Sequence, residues 1–268
     1  AAGLARLGIG LAEPEAAAIA SGALQQPGEI GLVVDIGGGT SDFSLFHSDD
    51  ERVEILANHG VRIGGTDFDQ AISISQVMPL LGKGSQLRKV FGQGTSPVPN
   101  AIFNDLATWE KIPFIYTGQN RILSIEMAHL AVEPDKLERL AKVIDGQLGH
   151  ELAFVVEHGK VTANSGQERS NILLDLLEPG LTAPLPTQDL LSVLAPYGID
   201  LQTAVHETLQ MADLSEERID HVIYVGGSSL MTLVLDTMLP VFPSAKHSFS
   251  EVFTVVTDGL ALAAAQRS

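Results

Sequence analysis

One stretch, residues 30–46, limits what this chain can fold into more than any other part of it. The stretch reads IGLVVDIGGGTSDFSLF. An apolar run ends at Asp35, three glycines follow, and alternation of apolar and polar residues resumes after Thr40. This pattern predicts a strand, a tight glycine turn and a second strand.

The turn itself has two interpretations. The amides of Gly37, Gly38 and Gly39 can point into one concavity and hold an anion. Asp35 can then hold Mg²⁺ through water, and Thr40 can donate to a terminal phosphate. An ordinary hairpin turn without a ligand explains the same glycines, so the stretch alone leaves both interpretations open.

Composition narrows the class of protein and the class of partner. The 268 residues make one large domain or two small ones, and 45% of them are apolar. No apolar run reaches the roughly 18 residues of a membrane helix, and no signal-peptide pattern is present. The absence of cysteine excludes disulfides and thiolate metal sites, and a cytoplasmic location is expected.

The charge balance also bears on partners. The formal net charge is −17, with 33 acids against 16 bases. Such a surface repels nucleic acid and anionic membranes, so we expect neither as a partner. If the ligand is a phosphate, backbone amides and a metal are expected to hold it rather than a cluster of lysines.

The first part of the chain is predicted to form an antiparallel meander followed by a helix. Elements are expected at 1–24 (helical), 30–36, 40–47 and 52–58 (strands), 66 to about 81 (helix) and 100–109 (helix). Thr66 is a good N-cap, and Asp67 and Asp69 follow it in the first turn, where the helix dipole favours acids. The Gly-, Ser- and Pro-containing residues 82–100 are predicted to be a mobile surface segment.

The later part is predicted to be mostly helical, with strands between helices. Apolar residues at every third or fourth position predict one long helix over 135–164. Glu157, Lys160 and Asn164 share a face of it, and an exposed Glu157–Lys160 ion pair would contribute well under ~1 kcal/mol. Further elements are expected at 172–177 (strand), 187–194 and 201–211 (helices), 220–225 (strand), 228–238 (helix), 246–249 (strand) and 254–266 (helix).

The order of these elements predicts a division into two parts. A mostly helical insert, residues 67–177, separates 1–66 from 178–268, and the two flanking pieces can share one sheet. This topology brings the glycine turns at 37–39, 64–65 and 226–227 to one sheet edge, where α/β folds bind ligands.

Several segments, in this order, resemble the actin-like ATPases and within them the DnaK-type, seventy-kilodalton heat-shock chaperones, most closely the divergent YegD-like branch. They are Glu13-Pro14, DIGGGTSD at 35–42, GGTDFD at 64–69, Glu157 with Lys160, VGGSS at 225–229 and VTDGL at 256–260. The resemblance implies an α/β, ribonuclease H-like lobe. Residues 1–66 and 178–268 would be its core subdomain, and 67–177 the inserted helical subdomain.

The resemblance also implies roles for individual residues. Asp35 would bind Mg²⁺-bound water, Thr40 would contact the γ-phosphate, and Glu13 would sit near the attacking water. ATP or ADP with Mg²⁺ is the implied ligand. The implied nucleotide-binding residues are Gly37, Gly38, Gly39, Gly64, Gly65, Glu157, Lys160, Asn164, Gly226, Gly227, Ser228 and Leu230.

Three positions depart from the family pattern. Thr66 stands where the family has an acid, Leu230 replaces an arginine that lies over adenine, and Asn164 replaces a serine that meets the purine. Loss of the cation–π contribution costs about 0.5–2 kcal/mol. We therefore expect weaker or altered nucleotide recognition.

The implied function is an ATP- or ADP-dependent conformational switch in a chaperone ATPase. Unfolded client proteins and a co-chaperone or exchange factor would be partners of the whole protein. The resemblance covers only the second lobe, without the family's first phosphate loop or catalytic lysine, so this chain alone is expected to be inactive. Two alternatives stay open: a nucleotide-binding protein that does not hydrolyse, and an actin-like filament protein with a polymer contact in 82–100.

Overall fold

The computed structural model describes residues 13–49, 52–166 and 170–250, and these fall into two compact units. The first unit contains the residues up to 65 and from 196 onward, and the second contains 66–195. The chain passes from the second unit back to the first between residues 195 and 196. This division does not test the predicted core subdomain and the predicted insert of residues 67–177, which stay a prediction. No helix in the described residues has the length and apolar character needed to cross a membrane.

The described residues form a mixed set of strands and helices. The strands are β1 Ile30–Ile36, β2 Ser41–Ser48, β3 Val53–Val61, β4 Gln86–Arg88, β5 Thr95–Pro97, β6 Asn171–Leu173, β7 Thr182–Pro184, β8 His221–Val225 and β9 Lys246–Phe249. The α-helices are α1 Glu13–Ala20, α2 Gly65–Ile72, α3 Ala101–Ala107, α4 Gly118–Leu130, α5 Pro134–Gly146, α6 Gly149–Asn164, α7 Thr187–Met211 and α8 Thr232–Val241.

A five-stranded sheet with the order β3-β2-β1-β8-β9 forms the centre of the first unit. The first three strands make the predicted antiparallel meander. β8 joins β1 in parallel, and β9 joins β8 in parallel. The structure thus confirms that the two pieces of sequence share one sheet.

The two faces of this sheet differ because side chains alternate along each strand. One face is apolar at its centre, where Val34, Phe43 and Leu45 are fully buried. The strand register places polar side chains such as Ser41 and His59 toward the ends of the same face. On the other face α1 packs its alanines against Val33 and Phe46. Further along that face the sequence turns polar, since Asp35 lies opposite Asp42 in the register.

The second unit is built from helices and two small hairpins, and it corrects several predictions. The single helix predicted over 135–164 is two helices, α5 and α6. They separate at Gln147, which has a φ of 53°, and the amide of Leu148 closes the turn on the carbonyl of Val143 at 3.0 Å. The sequence hides this break because its apolar spacing continues through Leu148.

Residues 82–100, predicted to be a mobile segment, contain the hairpin of β4 and β5. The predicted strand at 172–177 ends after Leu173, where β6 pairs with β7. The helix expected to begin at Thr66 begins at Gly65, and after Ile72 it continues as a π turn, Ser73–Val77, and a 3₁₀ turn, Met78–Leu81. The sequence reading missed α4 altogether.

Two predictions about helices that lie partly or wholly in the first unit also need correction. The helices expected at 187–194 and 201–211 are one helix, α7, with Pro196 in its interior. Its apolar spacing runs through the proline, and the buried positions are Leu190, Leu194, Leu201, Ala204, Val205 and Leu209. The helix expected over 228–238 is a 3₁₀ turn, Gly227–Leu230, followed by α8. Met231 has an extended ψ of 132° and separates the two.

The strands at β1, β8 and β9 confirm their predictions closely, and α3 confirms the helix predicted at 100–109. The helix predicted at 254–266 and the first half of the one predicted at 1–24 lie outside the described residues.

Candidate functional site

Three glycine turns meet at the end of β1 and β8, as the sequence predicted. The amide of Gly37 donates to the carbonyl of Thr40 at 2.9 Å and closes the first turn. The amide of Gly65 donates to the carbonyl of Gly37 at 3.0 Å, which joins the second turn to the first. A side-chain bond from Ser41 Oγ to the carbonyl of Ile63, at 2.7 Å, fixes the approach to that second turn.

Some of these glycines are required because the turns touch one another. A Cβ on Gly64 would lie 2.5 Å from the carbonyl oxygen of Gly38. A Cβ on Gly226 would overlap the carbonyl of Ile36 and lie 2.7 Å from Asp35 Oδ1, and Gly226 also has a left-handed φ of 86°. A Cβ on Gly65 would lie 2.4 Å from Ser228 Oγ, a hydroxyl that can rotate away, and 3.7 Å from the carbonyl oxygen of Gly37. Close contact with backbone thus accounts for Gly64 and Gly226 but not for Gly65.

Gly38 and Gly227 are different. Neither has a left-handed φ, and a Cβ on either would meet no atom within 4 Å. A Cβ on Gly37 would make only ordinary contact, at 3.5 Å from the carbonyl oxygen of Thr40. Backbone conformation and internal packing therefore permit side chains at these positions, and their absence leaves open space in front of two turns.

A cavity of about 230 Å³ adjoins the first turn and is lined by acids. Its carboxylates are Glu13, Asp35 and Asp42, and none of the lining residues within 13–49, 52–166 and 170–250 is a lysine or arginine. The remaining lining residues are Pro14, Ala17, Val33, Ser44, Asn58 and Val225. Asn58 Nδ2 donates to Ser44 Oγ at 2.9 Å and so fixes the floor of the cavity.

The electrostatics of this cavity centre on Asp35. Burial first, and then the negative charges of Glu13 and Asp42, raise the pKa of Asp35 to about 6. Both effects disfavour the carboxylate, and no lysine or arginine among the described lining residues compensates for them. A bound cation would remove this penalty.

The donors fit Mg²⁺ held mainly through water. Mg²⁺ prefers oxygen ligands, keeps several waters and is commonly held by one or two carboxylates together with substrate phosphates. The cavity offers carboxylate, hydroxyl and amide oxygens. Within the described ranges, no group of three or more Asp, Glu or His side chains is placed to hold a metal directly. Binding of Mg²⁺ through water at Asp35 agrees with the oxygen donors of the cavity and with the lack of a direct metal site among the described residues.

The other predicted residues of the first unit lie around these turns. Glu13 is exposed at the start of α1, and Gly39 and Thr40 are exposed at the tip of the first turn. Leu230 is 52% exposed after the third turn. Ser229 Oγ donates to the carbonyl of Gly226 at 2.6 Å and holds that turn as a 3₁₀ segment. An α-helix N-terminus was expected there, but α8 begins only at Thr232.

The second unit holds Glu157, Lys160 and Asn164 on α6, as predicted. The expected exposed pair of Glu157 and Lys160 is wrong. Lys160 Nζ lies 2.9 Å from Asp69 Oδ1, and the two side chains are only 6% and 20% exposed. Burial raises the pKa of Asp69 to about 6, although the charge and hydrogen bond of Lys160 oppose this rise.

The sequence reading missed Asp42, Ser44 and Asn58. The signal was present in the predicted hairpin, because closing it between Ile36 and Ser41 places Asp35 opposite Asp42 and Val33 opposite Ser44. Asn58 lies opposite Ser44 on the next strand. Cross-strand partners share a face of a sheet, so these polar residues point to the same side as Asp35.

A known protein family matches the part of the chain that contains two of the three glycine turns. The model of the family described as Hsp70 protein matches residues 1–78. That range contains Glu13, the Asp35–Thr40 turn and the Gly64–Gly65 turn, and it ends before α3. This part of the chain is therefore similar to Hsp70 proteins, and the mixed α/β structure is consistent with an actin-like ATPase fold.

Replacing Lys160 should strongly destabilise the protein, because Asp69 would be left buried without its cation. Breaking a buried pair from one side costs about 3–5 kcal/mol. We expect Lys160→Met to lower the free energy of unfolding in urea by about 3 kcal/mol at pH 7. The double variant Lys160→Met/Asp69→Leu should regain most of this loss.

Lys111→Met is the matched control, since Lys111 makes an exposed pair with Asp105 at 2.9 Å. It should change the free energy of unfolding by less than about 1 kcal/mol. A loss at Lys160 no larger than that of the control would show that Lys160 is not held in a buried pair.

Asp35→Asn should stabilise the ligand-free protein above pH 6. The raised pKa means that the folded protein binds the proton of Asp35 more tightly than the unfolded chain does. The resulting penalty is absent below about pH 4, grows between pH 4 and 6 and is constant above that. Asparagine imitates the protonated form and removes the penalty.

Thermal unfolding of both proteins from pH 4 to pH 8 measures this effect. The Tm of the variant minus that of the wild type should be near zero at pH 4 and positive at pH 7. Asp236→Asn, at an exposed position on α8, controls for loss of one negative charge. A difference for Asp35→Asn that does not vary with pH would contradict the assignment.

Proposed function

We propose that this chain is a nucleotide-binding lobe of an Hsp70-like chaperone ATPase, and that it binds ATP or ADP with Mg²⁺ at its glycine turns. The observation that carries this proposal is the open space in front of Gly38 and Gly227. Neither position needs glycine for its φ or for internal packing. Space for a ligand explains both glycines, and phosphates approach a backbone closely at such turns.

The carboxylates beside the turns require that a cation binds together with the nucleotide. A nucleotide phosphate brought to a cavity lined by Glu13, Asp35 and Asp42 would be repelled unless a cation came with it. We assign Asp35 to bind the water shell of Mg²⁺, which neutralises developing charge in phosphoryl transfer. Thr40 would donate to the terminal phosphate from the tip of the first turn.

Glu13 and Asp42 would act on water rather than on phosphate. Their carboxylates line the same cavity as Asp35 and accept hydrogen bonds from water. Glu13, at the start of α1, would orient the attacking water, and Asp42 would hold a water of the metal shell. Catalysis of this kind consists of positioning and charge stabilisation.

The remaining assignments follow the resemblance. The amides of Gly38 and Gly39 would hold the β- and γ-phosphates. Gly37 was expected to donate to the anion as well, but its amide donates to the carbonyl of Thr40 at 2.9 Å, so Gly37 would shape the turn instead. Gly64 and Gly65 would fix that turn. Gly226, Gly227, Ser228 and Leu230 would face the adenosine. Glu157, Lys160 and Asn164 are proposed for the base and ribose.

A second candidate, nucleotide binding with reduced or no hydrolysis, is favoured by one observation. The charge of Lys160 is already neutralised by Asp69 at 2.9 Å, and Leu230 offers only an apolar surface. Neither residue brings net positive charge to a nucleotide. Comparing single-turnover hydrolysis with equilibrium binding for the whole protein separates this candidate from an active ATPase.

We extend the proposal to the family branch, the location, the partners and the subdomains of the protein. We place it in the DnaK-type, YegD-like branch, in the cytoplasm, with unfolded clients and a co-chaperone or exchange factor as partners. Residues 1–66 with 178–268 would be the core subdomain, and 67–177 the inserted helical one. We expect this chain alone to bind nucleotide without turning it over.

Calorimetric titration with Mg-ADP tests the proposal through matched glycine variants. We expect Gly38→Val and Gly227→Val to fold normally, because a Cβ at either position lies more than 4 Å from every other described part of the chain apart from its sequence neighbours. Each should weaken binding at least about tenfold, which corresponds to about 1.4 kcal/mol, since the new side chain occupies the space assigned to the ligand.

Gly118→Val is the control, since Gly118 also has open space, lacks a left-handed φ and lies outside the predicted site. It should bind Mg-ADP as the wild type does. Omitting Mg²⁺ should weaken binding to the wild type as strongly as Asp35→Asn does. Unchanged affinity in both valine variants would overturn the proposed site.

A further inference from the structure

The hairpin of β4 and β5 presents an exposed apolar tip on a fixed base. The amide of Val98 donates to the carbonyl of Ser85 at 3.0 Å, and the amide of Val132 donates to the carbonyl of Gln86 at 2.9 Å. Ser85 Oγ donates to Glu133 Oε2 at 2.9 Å. The bond from Val98 closes the base of the hairpin. The bonds to Val132 and Glu133 join the hairpin to the segment after α4, so its position in the second unit is fixed.

The apolar side chains of the tip are largely exposed. Phe91 is 89% exposed and Val90 is 67% exposed. Glycines with left-handed φ, Gly92 and Gly94, form the turn beside them. A single exposed apolar residue is normal on a protein surface, but two adjacent ones at the tip of an anchored hairpin indicate a contact element.

The charge of the tip is opposite to that of the chain. Arg88 and Lys89 precede Val90 directly, whereas the chain as a whole carries a net charge of −17. The surface that complements this tip is therefore apolar and acidic.

The same unit carries such a surface, which we call the aromatic ridge and define as Trp109, His150 and Phe154. The ring of Trp109 lies 4.7 Å from that of His150 and 5.5 Å from that of Phe154, in edge-to-face geometry. Phe154 is 57% exposed. Aromatic side chains exposed together in this way are typical of protein contacts.

Acids flank the aromatic ridge. Glu110 and Glu151 are exposed beside its members, and no ion pair of either occurs among the described residues. The nearby base Lys111 is paired with Asp105 at 2.9 Å. The aromatic ridge is thus apolar with a negative rim.

We propose that the hairpin tip of one chain binds the aromatic ridge of a second copy of the same chain. Phe91 and Val90 would pack on the aromatic rings, and Lys89 would face Glu151. The contact is small, so the association is weak and needs high protein concentration. At physiological salt the repulsion between the two acidic chains is screened beyond about 8 Å, whereas adjacent opposite charges still attract. This proposal does not depend on nucleotide binding.

Sedimentation velocity at about 0.15 M salt, with protein up to the order of 100 μM, tests the proposal. The weight-average mass of the wild type should rise with concentration. Phe91→Ser should abolish the rise, and it should fold normally because Phe91 contacts little of its own chain. Ile199→Ser, at an exposed position on α7, is the matched control and should associate as the wild type does.

Charge reversal identifies the two partners. Lys89→Glu and Glu151→Lys should each reduce association, because each places like charges face to face. The double variant Lys89→Glu/Glu151→Lys should restore it. Arg218→Glu, at an exposed position in the first unit, makes the same change in net charge as Lys89→Glu and should leave association unchanged.

The variants also separate local attraction from overall charge. Glu151→Lys lowers the net negative charge, so a chain held apart only by its total charge would associate more, not less. That result would overturn the proposal, as would a wild type that stays monomeric throughout. Phe91-dependent sedimentation of a monomeric chain with anionic vesicles would assign the tip to a lipid surface and would also overturn it.

Discussion

The contact among three glycine turns is the constraint on which the first unit depends. Gly64 lies against the backbone of Gly38, and Gly226 lies against Ile36 and Asp35. A methyl group at either position would separate segments far apart in sequence, and the end of β1 would no longer meet the end of β8. The close packing of backbone on backbone also sets where the amides of Gly37 and Gly38 lie, so the fold and the candidate site have the same origin.

The acids near those turns make the site incomplete without a cation. Glu13, Asp35 and Asp42 line one cavity without a lysine or arginine in the part of its wall that the structure describes, and burial raises the pKa of Asp35. Holding the Asp35 carboxylate in this cavity lowers the stability of the ligand-free protein. Such a loss of stability is typical of functional sites rather than of structural ones. In the second unit the opposite holds, since Asp69 already has its cation in Lys160. The two buried aspartates therefore have different roles although their pKa values shift alike.

The meander and the meeting of the glycine turns could be predicted from the sequence because both depend on local patterns. Alternation of apolar and polar residues defines the strands around Asp35, and adjacent glycines define the turns. The break at Gln147 could not be predicted, since apolar spacing continues across it. The continuity of α7 through Pro196 was not predicted either. A break was expected between 194 and 201, but burial of the apolar stripe of α7 outweighs the one hydrogen bond that is lost at the proline. The partner of Lys160 could not be predicted, since Asp69 lies far away in sequence and only tertiary packing brings it close.

An amide chemical-shift titration of this chain with Mg-ADP tests the central claim most directly. Nuclear magnetic resonance reports each glycine amide separately, and it detects weak binding that leaves the fold unchanged. We predict that the largest shifts occur at Gly38, Gly39 and Gly227 and that they shrink when Mg²⁺ is removed. Saturable shifts confined to other parts of the chain, or none at millimolar Mg-ADP, would contradict it.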